Sequence, residues 1–350
     1  MRSAYALIWV LFLFSCSSSQ EEGSTGRDEG KPVERVVNLY SHRHYDTDKE
    51  LFALFTERTG IEVNIVQAGD DELMARLEAE GAKSQCDLFI TADAGRLGLA
   101  QQRGLLQPVR SKVLEANIPA HLRDPEGHWF GLTMRARVIA YNKQKVNGSD
   151  LGTYAALTDP KWKGRLLVRS SENVYNQSLV AAMIERSGEQ AAYDWAKDIV
   201  ANMARQPQGG DTDQLLAVAE GIGDVAIVNS YYVGKLMAGT EPEKQRARDV
   251  LAVAFPSMGG HGTHVNVSGG GVARHAPNPE NAIALLEFLI SDEAQALFAG
   301  GNKEYPVKPG IPIPAELAAF GEFTADTLDL VVLARNNAQA VKIMTAAGWR

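Results

Sequence analysis

The sequence predicts an α/β protein with two lobes, and two observations support this fold class. The chain has 350 residues, of which 45% are hydrophobic, so it exceeds the size at which one hydrophobic core usually divides. It also contains two separate stretches in which short apolar runs alternate with segments of helical periodicity, a pattern typical of parallel sheets covered by helices. We therefore expect one α/β unit in each lobe.

The N-terminus has the composition of a secretion signal followed by a tether. Arg2 precedes an apolar run over residues 4–14 that is too short to span a membrane, so residues 1–16 are a predicted signal peptide. The run ends in a Leu-Phe-Ser-Cys sequence at Cys16, which resembles the lipobox of bacterial lipoproteins. Cys16 is then a lipidation site, with ordinary cleavage of the signal as the alternative. Residues 17–32 are rich in Ser, Gly and charge, as in flexible tethers.

The first α/β unit starts after this tether. Its first helix has signals at both ends, because Thr47 and Glu50 have the spacing of a capping box and Gly60 is placed to end the helix. The predicted order is strand 36–41, helix 46–60, strand 61–66, helix 70–81, strand 86–91 and a helix around 96–103. This βαβαβ order predicts a parallel, doubly wound sheet.

A second α/β unit follows, and two extended segments are expected to connect the lobes. The predicted order is strand 165–170, helices 175–186 and 191–203, strand 224–229 and helix 231–238. Residues 131–142 and 250–256 are the expected hinge crossings, and Asn278 and Pro279 then start an apolar helix as N-cap and first residue. The predicted N-terminal lobe comprises residues 33–134 and 255–305, and the predicted C-terminal lobe comprises residues 135–254 and 306–350.

Tyrosines follow predicted strands in both units. His44 and Tyr45 follow the first strand of the chain, Tyr175 follows the first strand of the second unit, and Tyr231 and Tyr232 follow its next strand. Ligands of open α/β sheets bind beyond the carboxyl ends of the strands, so these side chains are expected to meet in one cleft between the lobes. Four phenols and an imidazole would converge there.

Such a cluster suits a trivalent metal ion. A phenol has a pKa of about 10, but a trivalent cation displaces the phenol proton, and the hard ion Fe(III) prefers anionic oxygen. Four phenolates around Fe(III) leave a negative net charge, which Lys235 on the helix of Tyr231, or Arg135 and Arg137 at the first crossing, would offset. Each residue also has an ordinary structural explanation, because tyrosines pack in cores, a lone His bonds to backbone, and Lys and Arg pair or are solvated.

Other features of the sequence favour no competing function. The net charge of -8 argues against nucleic acid as a partner. His261 and His264 lie in a Gly-rich segment without helical period, so we expect structural or surface roles for them. The Gly run at 269–271 lacks the helix and the Lys-Ser/Thr of a phosphate loop. Cys86 is an expected core residue, and no set of catalytic groups predicts an enzyme.

At these residues the sequence resembles the periplasmic ferric-iron-binding proteins of bacterial ABC importers, particularly the cyanobacterial branch, from Val36 to Arg350. The resemblance is carried by Leu39-Tyr40-Ser41 through His44-Tyr45, Trp129-Phe130-Gly131, Arg135-Ala136-Arg137-Val138-Ile139, the Asp159 to Arg165 segment DPKWKGR, Tyr175-Asn176-Gln177-Ser178-Leu179, Asn229-Ser230-Tyr231-Tyr232 and the Gly262 to Gly269 segment GTHVNVSG. It implies the two-lobed, type II periplasmic-binding-protein fold with a ligand cleft between the lobes. It also implies that Fe(3+) is held by His44, Tyr45, Tyr175, Tyr231 and Tyr232, with Arg135, Arg137 and Lys235 around them.

The resemblance further implies a function and partners. The protein would be a monomeric, non-enzymatic periplasmic receptor, attached to the membrane only through its lipid, that passes ferric iron to the permease and ATPase of an ABC transporter. Some relatives complete the iron site with a borrowed anion, whereas His with four tyrosines can hold iron alone. The nearest alternative is a binding protein of this fold for a polyamine, a sugar or an inorganic anion. A tyrosinate-iron oxidase is the alternative from another class, and it would need an open coordination position.

Overall fold

The computed structural model describes residues 35–43 and 45–350. The predicted signal peptide with Cys16, the predicted tether at 17–32 and the predicted ligand His44 lie outside the described residues. The helices are α1 Asp46–Thr59, α2 Asp70–Glu80, α3 Ala94–Gln102, α4 Lys112–Asn117, α5 Val174–Ser187, α6 Glu189–Asn202, α7 Asp211–Ala219, α8 Ser230–Ala238, α9 Pro242–Val250, α10 Pro279–Leu289, α11 Asp292–Asn302, α12 Ala315–Ala318 and α13 Val331–Ala346. Among the residues described, no helix has both the length and the apolar composition that a membrane span requires.

The described strands form one mixed sheet. They are β1 Val36–Ser41, β2 Glu62–Gln67, β3 Leu88–Thr91, β4 Phe130–Asn142, β5 Leu166–Leu167, β6 Val225–Asn229, β7 Leu251–Ala254, β8 Val265–Val272 and β9 Tyr305–Pro306. Their order is β2-β1-β3-β8-β4-β6-β5, and β7 and β9 also pair with β4. The β1, β2 and β3 strands are parallel, as are β5 and β6, whereas β8 and β4 join these two groups in antiparallel fashion. The predicted parallel arrangement is therefore correct within each α/β unit but not across the sheet.

Strand β4 belongs to both halves of the sheet. Its residues 130–136 pair with β8, and its residues 137–141 pair with β6. The first half comprises β1, β2, β3, β8 and the start of β4, and the second half comprises β5, β6, β7 and the end of β4. The chain returns to the first half between Ala254 and Val265. The lobe boundaries given above remain a prediction at the level of single residues.

Strand β8 contains the Gly run at 269–271. A Cβ atom at Gly269 would lie 2.4 Å from the carbonyl oxygen of Phe130, and one at Gly271 would lie 2.3 Å from that of His128. Glycine usually weakens a strand, but it allows close approach of a neighbouring backbone. The glycines are therefore what allows β8 to lie between β3 and β4.

The C-terminal helix α13 links the two halves through the hydrophobic core. It packs against α3 of the first unit and against α5 and α6 of the second. Its residue Leu333 belongs to a single buried cluster that also contains Leu97 of α3 and Leu179 of α5. A second cluster, which includes Leu215, Val228 and Leu236, covers the other face of the second half. Burial of these apolar side chains is the main force that holds the units together.

Several predicted helix and strand boundaries need correction. The capping box was wrong, because α1 begins at Asp46 with Tyr45 as N-cap and no side-chain cap hydrogen bond, which places Thr47 inside the first turn. Gly60 does end this helix, in the left-handed conformation with φ 68°. Asn278 is the N-cap residue of α10, but its side-chain amide donates to Asp87 instead of capping the helix. The strand predicted at 165–170 is only Leu166–Leu167.

Candidate metal site

Four tyrosines lie at the N-termini of three helices. Tyr45 is the N-cap residue of α1, Tyr175 is the second residue of α5, and Tyr231 and Tyr232 are the second and third residues of α8. The side chain of Asn173 fixes the start of α5 by accepting a hydrogen bond from the Tyr175 backbone amide. The N-terminus of a helix carries a partial positive charge. All three helices therefore favour negative charge where the phenols lie.

The phenols of the four tyrosines lie close together across the two α/β units. The hydroxyl oxygens of Tyr175 and Tyr231 are 3.2 Å apart, and the rings of Tyr231 and Tyr232 have centroids 4.2 Å apart. The hydroxyl of Tyr45, from the first unit, shares a hydrogen bond with that of Tyr231 from the second. The structure thus brings together the four tyrosines that the sequence singled out, while His44 lies outside the described residues.

Burial keeps the phenols of Tyr45, Tyr175 and Tyr231 protonated in the absence of a cation. Burial, with a smaller contribution from Glu304, raises the pKa of Tyr45 to about 12. Burial also raises the pKa of Tyr175 and that of Tyr231, and the neighbouring phenols add to the effect. A group whose charged form is disfavoured by desolvation becomes charged when a cation binds to it. The cluster can therefore exchange several protons for one highly charged cation.

Two cations flank Tyr45. The ammonium nitrogen of Lys235 lies 3.9 Å from the centroid of the Tyr45 ring and 5.5 Å from that of Tyr231. The spacing on α8 predicted that Lys235 lies near Tyr231, but not that it lies near Tyr45. Burial lowers the pKa of Lys235, and Glu304 opposes this shift. The guanidinium of Arg43 lies 4.9 Å from the Tyr45 centroid and forms two hydrogen bonds with Asp48 and one with Glu304. The position of Arg43 was not predicted from the sequence, although Arg43 immediately precedes His44.

Three arginines surround the ring of Tyr175. The guanidinium carbons of Arg135, Arg137 and Arg169 lie 5.4, 5.9 and 5.6 Å from its centroid. Arg135 donates to the buried carboxylate of Asp93 at 3.2 Å, and Arg137 donates to that of Asp211 at 2.8 Å. Because β4 carries Arg135 and Arg137, the strand shared by both halves places these charges behind the phenol cluster. Arg169 was not predicted.

A small buried cavity lies beside Tyr175. It is lined by Arg135, Arg137, Tyr175, Asn229, His264 and Asn266. Three donors among these, Arg135 Nη1, Arg137 Nε and Asn229 Nδ2, are buried and have no hydrogen-bond partner in the described part of the chain. Burial and the two arginines lower the pKa of His264 to about 3, so this imidazole is neutral. His264 therefore has a buried role next to the cluster, while His261 is exposed as expected.

A second group of side chains of the types that bind metals lies in the turn before β4. One ligand atom from each of Asp124, Glu126 and His128 lies within 4.8 Å of the others. The Asp124 carboxylate already accepts hydrogen bonds from the backbone amide of His128 and from its ring at 2.9 Å each. These bonds explain the group as a stabilised turn before β4. Cys86 is buried, as predicted.

Fold and site together define an extracytoplasmic solute-binding protein with its site between two lobes. Residues 41–296 match the family model described as bacterial extracellular solute-binding protein, and the chain belongs to this family. Membership confirms the predicted two-lobed fold class, the transport role and the location outside the cytoplasm.

Individual relatives cover nearly the whole chain. The chain is 48% identical to iron uptake protein A1 of Synechocystis sp. over 338 residues. This alignment covers 95% of this chain and 94% of that protein. Among solved structures, Trichodesmium (IdiA) (FutA) in complex with iron and citrate ligands has 51% sequence identity and a TM-score of 0.87, over 90% of this chain and 100% of that one. Apo FutA2 from Synechocystis PCC6803 has 49% sequence identity and a TM-score of 0.86, over 91% of this chain and 100% of that one.

Proposed function

We propose that this protein captures ferric iron with the phenolate oxygens of Tyr45, Tyr175, Tyr231 and Tyr232. The observation that carries the proposal is the meeting of these four phenols, with the hydroxyls of Tyr175 and Tyr231 only 3.2 Å apart, at the N-termini of three helices. Anionic oxygen suits a hard trivalent ion. The names of the relatives, iron uptake protein A1 and a structure in complex with iron and citrate ligands, support the same ion.

His44 is the proposed fifth ligand. It directly precedes Tyr45 in the sequence, and the resemblance to ferric-iron-binding proteins implies it as a ligand beside that tyrosine. A neutral imidazole is a common ligand of iron. His44 and Tyr45 come from the first lobe and the other ligands from the second, so coordination is complete only when the lobes approach each other.

The surrounding cations are proposed to offset the charge of the phenolates. Lys235 lies over the Tyr45 ring at 3.9 Å, and Arg135 and Arg137 lie near the Tyr175 ring. Opposite charges within a few ångströms favour the ionised form of a phenol. The unpartnered donors of Arg135 and Arg137 also suit a small anion beside the metal. The site therefore accepts iron alone or iron with a borrowed anion.

The proposed physiological role is delivery of iron to an inner-membrane transporter. We infer that the closed, iron-loaded protein docks as a monomer on the permease of an ABC importer, whose ATPase drives release. Lipidation at Cys16 and a tether at 17–32 would keep the receptor near that permease, because a lipid anchor with a flexible linker raises the local concentration of the folded part. Labelling with a radioactive fatty acid, with a Cys16→Ser variant as control, tests the anchor.

A ferric titration of the purified protein tests the proposed function. Addition of Fe(III) should produce a visible phenolate-to-iron charge-transfer band that saturates at one ion per protein. Absence of the band, together with binding of a polyamine, a sugar or an inorganic anion, would identify a receptor for another solute. Catalytic oxygen consumption by the iron-loaded protein would identify an oxidase instead.

A further inference from the structure

The phenol cluster is built from two groups of packed helices, here called bodies, that also contact each other outside the site. One body contains α5, which carries Tyr175, and the other contains α3, which follows β3 of the first half. Helix α13 lies between them and packs on both. The distance between α3 and α13 therefore influences where Tyr175 stands relative to Tyr45.

Helix α13 is fixed to α5 and α6 by polar side chains. Arg335 and Asn336 both donate to the Glu185 carboxylate, at 2.6 and 3.1 Å. Asn337 donates to the side chain of Gln177 at 3.2 Å, only two residues after Tyr175. At the other end of the helix, Trp349 donates to the carbonyl oxygen of Arg169. These bonds make α13, α5 and the Tyr175 side chain parts of one body.

The contact between α13 and α3 is made by small residues in close approach. A Cβ atom built on Gly98 would lie 2.6 Å from the Cβ of Ala334, well inside ordinary van der Waals contact. One turn earlier, the Cβ position of Gly95 lies 3.6 Å from the Cβ of Leu333. Gly98 and Ala334 are both buried, and the helices around them are regular. The two helices therefore meet at Gly98 with no room for a methyl group.

The same region contains a direct link between α3 and α5. The hydroxyl of Ser178, in α5, donates to the buried N-cap carboxylate of Asp93 at 2.9 Å, and Asp93 also accepts from Arg135. Separation of α3 from α13 would pull this hydroxyl away from Asp93. It would also move Tyr175 away from the first half, because Ser178 lies one turn after Tyr175 on the same helix.

We propose that Gly98 is a positioning residue of the iron site, because it sets how far the α5–α13 body can close onto the first half. This inference rests on the proposed function for its consequence in iron binding. A methyl group at position 98 forces the helices apart by several tenths of an ångström. Metal–ligand distances tolerate only about 0.2 Å, so Tyr175 and Tyr45 can no longer satisfy the same ion without strain.

The test uses a compensating pair of substitutions. Gly98→Ala should weaken ferric binding by about tenfold or more, as expected when the competent closed state falls to about one tenth of the population. Gly98→Ala combined with Ala334→Gly removes the clash and should restore most of the affinity, measured by competition with a chelator. Gly300→Ala is the matched control, because Gly300 lies inside α11 with nothing within 4 Å of its Cβ position; it should bind iron like the wild type.

A second measurement needs no iron and so separates this inference from the proposed function. Spin labels at the exposed positions Ala79→Cys in α2 and Lys197→Cys in α6, in a Cys16→Ser background, report the distance between the two bodies. That distance should be longer with Gly98→Ala and return with the added Ala334→Gly, whether or not the wild type binds iron. An unchanged distance and affinity in folded Gly98→Ala overturn the inference. If Gly98→Ala does not fold, Ala334→Gly must restore folding, and failure to do so overturns it as well.

Discussion

Replacement of Tyr231 by Phe isolates one oxygen atom of the proposed site. Tyr231 is 3% exposed, and its ring packs against that of Tyr232, so the ring of Phe should keep the packing. The lost hydroxyl leaves the hydroxyls of Tyr175, 3.2 Å away, and of Tyr45 with one partner fewer each. A hydrogen bond of this kind contributes about 1 kcal/mol, so the free energy of unfolding of the iron-free protein should change by about 2 kcal/mol or less.

The effect on iron should be larger. Partners that only support a metal ligand already cost about 10- to 100-fold in affinity when they are removed, so the loss of a ligand oxygen should exceed about 100-fold. That factor corresponds to more than about 2.7 kcal/mol of binding free energy. The ratio between the two effects distinguishes a ligand from a packing residue.

The assay compares Tyr231→Phe with Tyr40→Phe. Tyr40 is a buried tyrosine whose hydroxyl donates to Glu80, remote in function from the cluster, so it controls for the loss of a buried hydroxyl. Ferric affinity would be measured by chelator competition, the charge-transfer band by visible absorbance, and stability by chemical denaturation. Equal iron binding in both variants and the wild type would return Tyr231 to the role of a core residue.

Three further predictions concern closure, protons and charge. Iron should lower the radius of gyration in small-angle scattering and raise the thermal midpoint, because it bridges the lobes; identical scattering with and without iron contradicts the clamp. Burial holds the pKa of Tyr45 at about 12 and raises that of Tyr175, so iron binding near neutral pH must release several protons. Acid titration should therefore bleach the visible band cooperatively. In the His44→Ala variant the band should bleach at a less acidic pH. A band that is indifferent to acid argues against phenolate ligands. Lys235→Met should weaken iron binding by about tenfold and Lys235→Arg by less, as judged by chelator competition; equal affinities would remove the ammonium from the site.

The sequence predicted the helices and the tyrosine positions well because both depend on local signals. Helical periodicity located α1, α5 and α8, and the turns before them placed Tyr45, Tyr175 and Tyr231 at one end of the sheet. The capping box failed for a physical reason, since a box requires Thr47 at the N-cap position and the helix starts earlier, at Asp46. Boundaries that depend on one competing hydrogen bond are the least predictable.

Strand β8 and Arg43 could not be predicted, because their roles arise from distant contacts. The glycines of β8 argue against a strand until the neighbouring carbonyl oxygens of Phe130 and His128 are known. Arg43 is buried only because Asp48 and Glu304 converge on it, and Glu304 lies far along the chain. The arginines around Tyr175 were partly predicted. Arg135 and Arg137 lie two residues apart and so on the same face of one strand, whereas Arg169 comes from another segment.

Strand pairing in the first half also constrains the order in which the chain can fold. β3 needs β8 as a neighbour, and the pairing of Leu88 with Val272 joins residues that are separated by the entire second α/β unit. Loop-closure entropy makes such distant pairings slow. During synthesis the first half therefore cannot complete its sheet until residue 272 has been made. A chain that must cross a membrane before it folds gains from this delay, because its native sheet cannot be completed until most of the chain has been made.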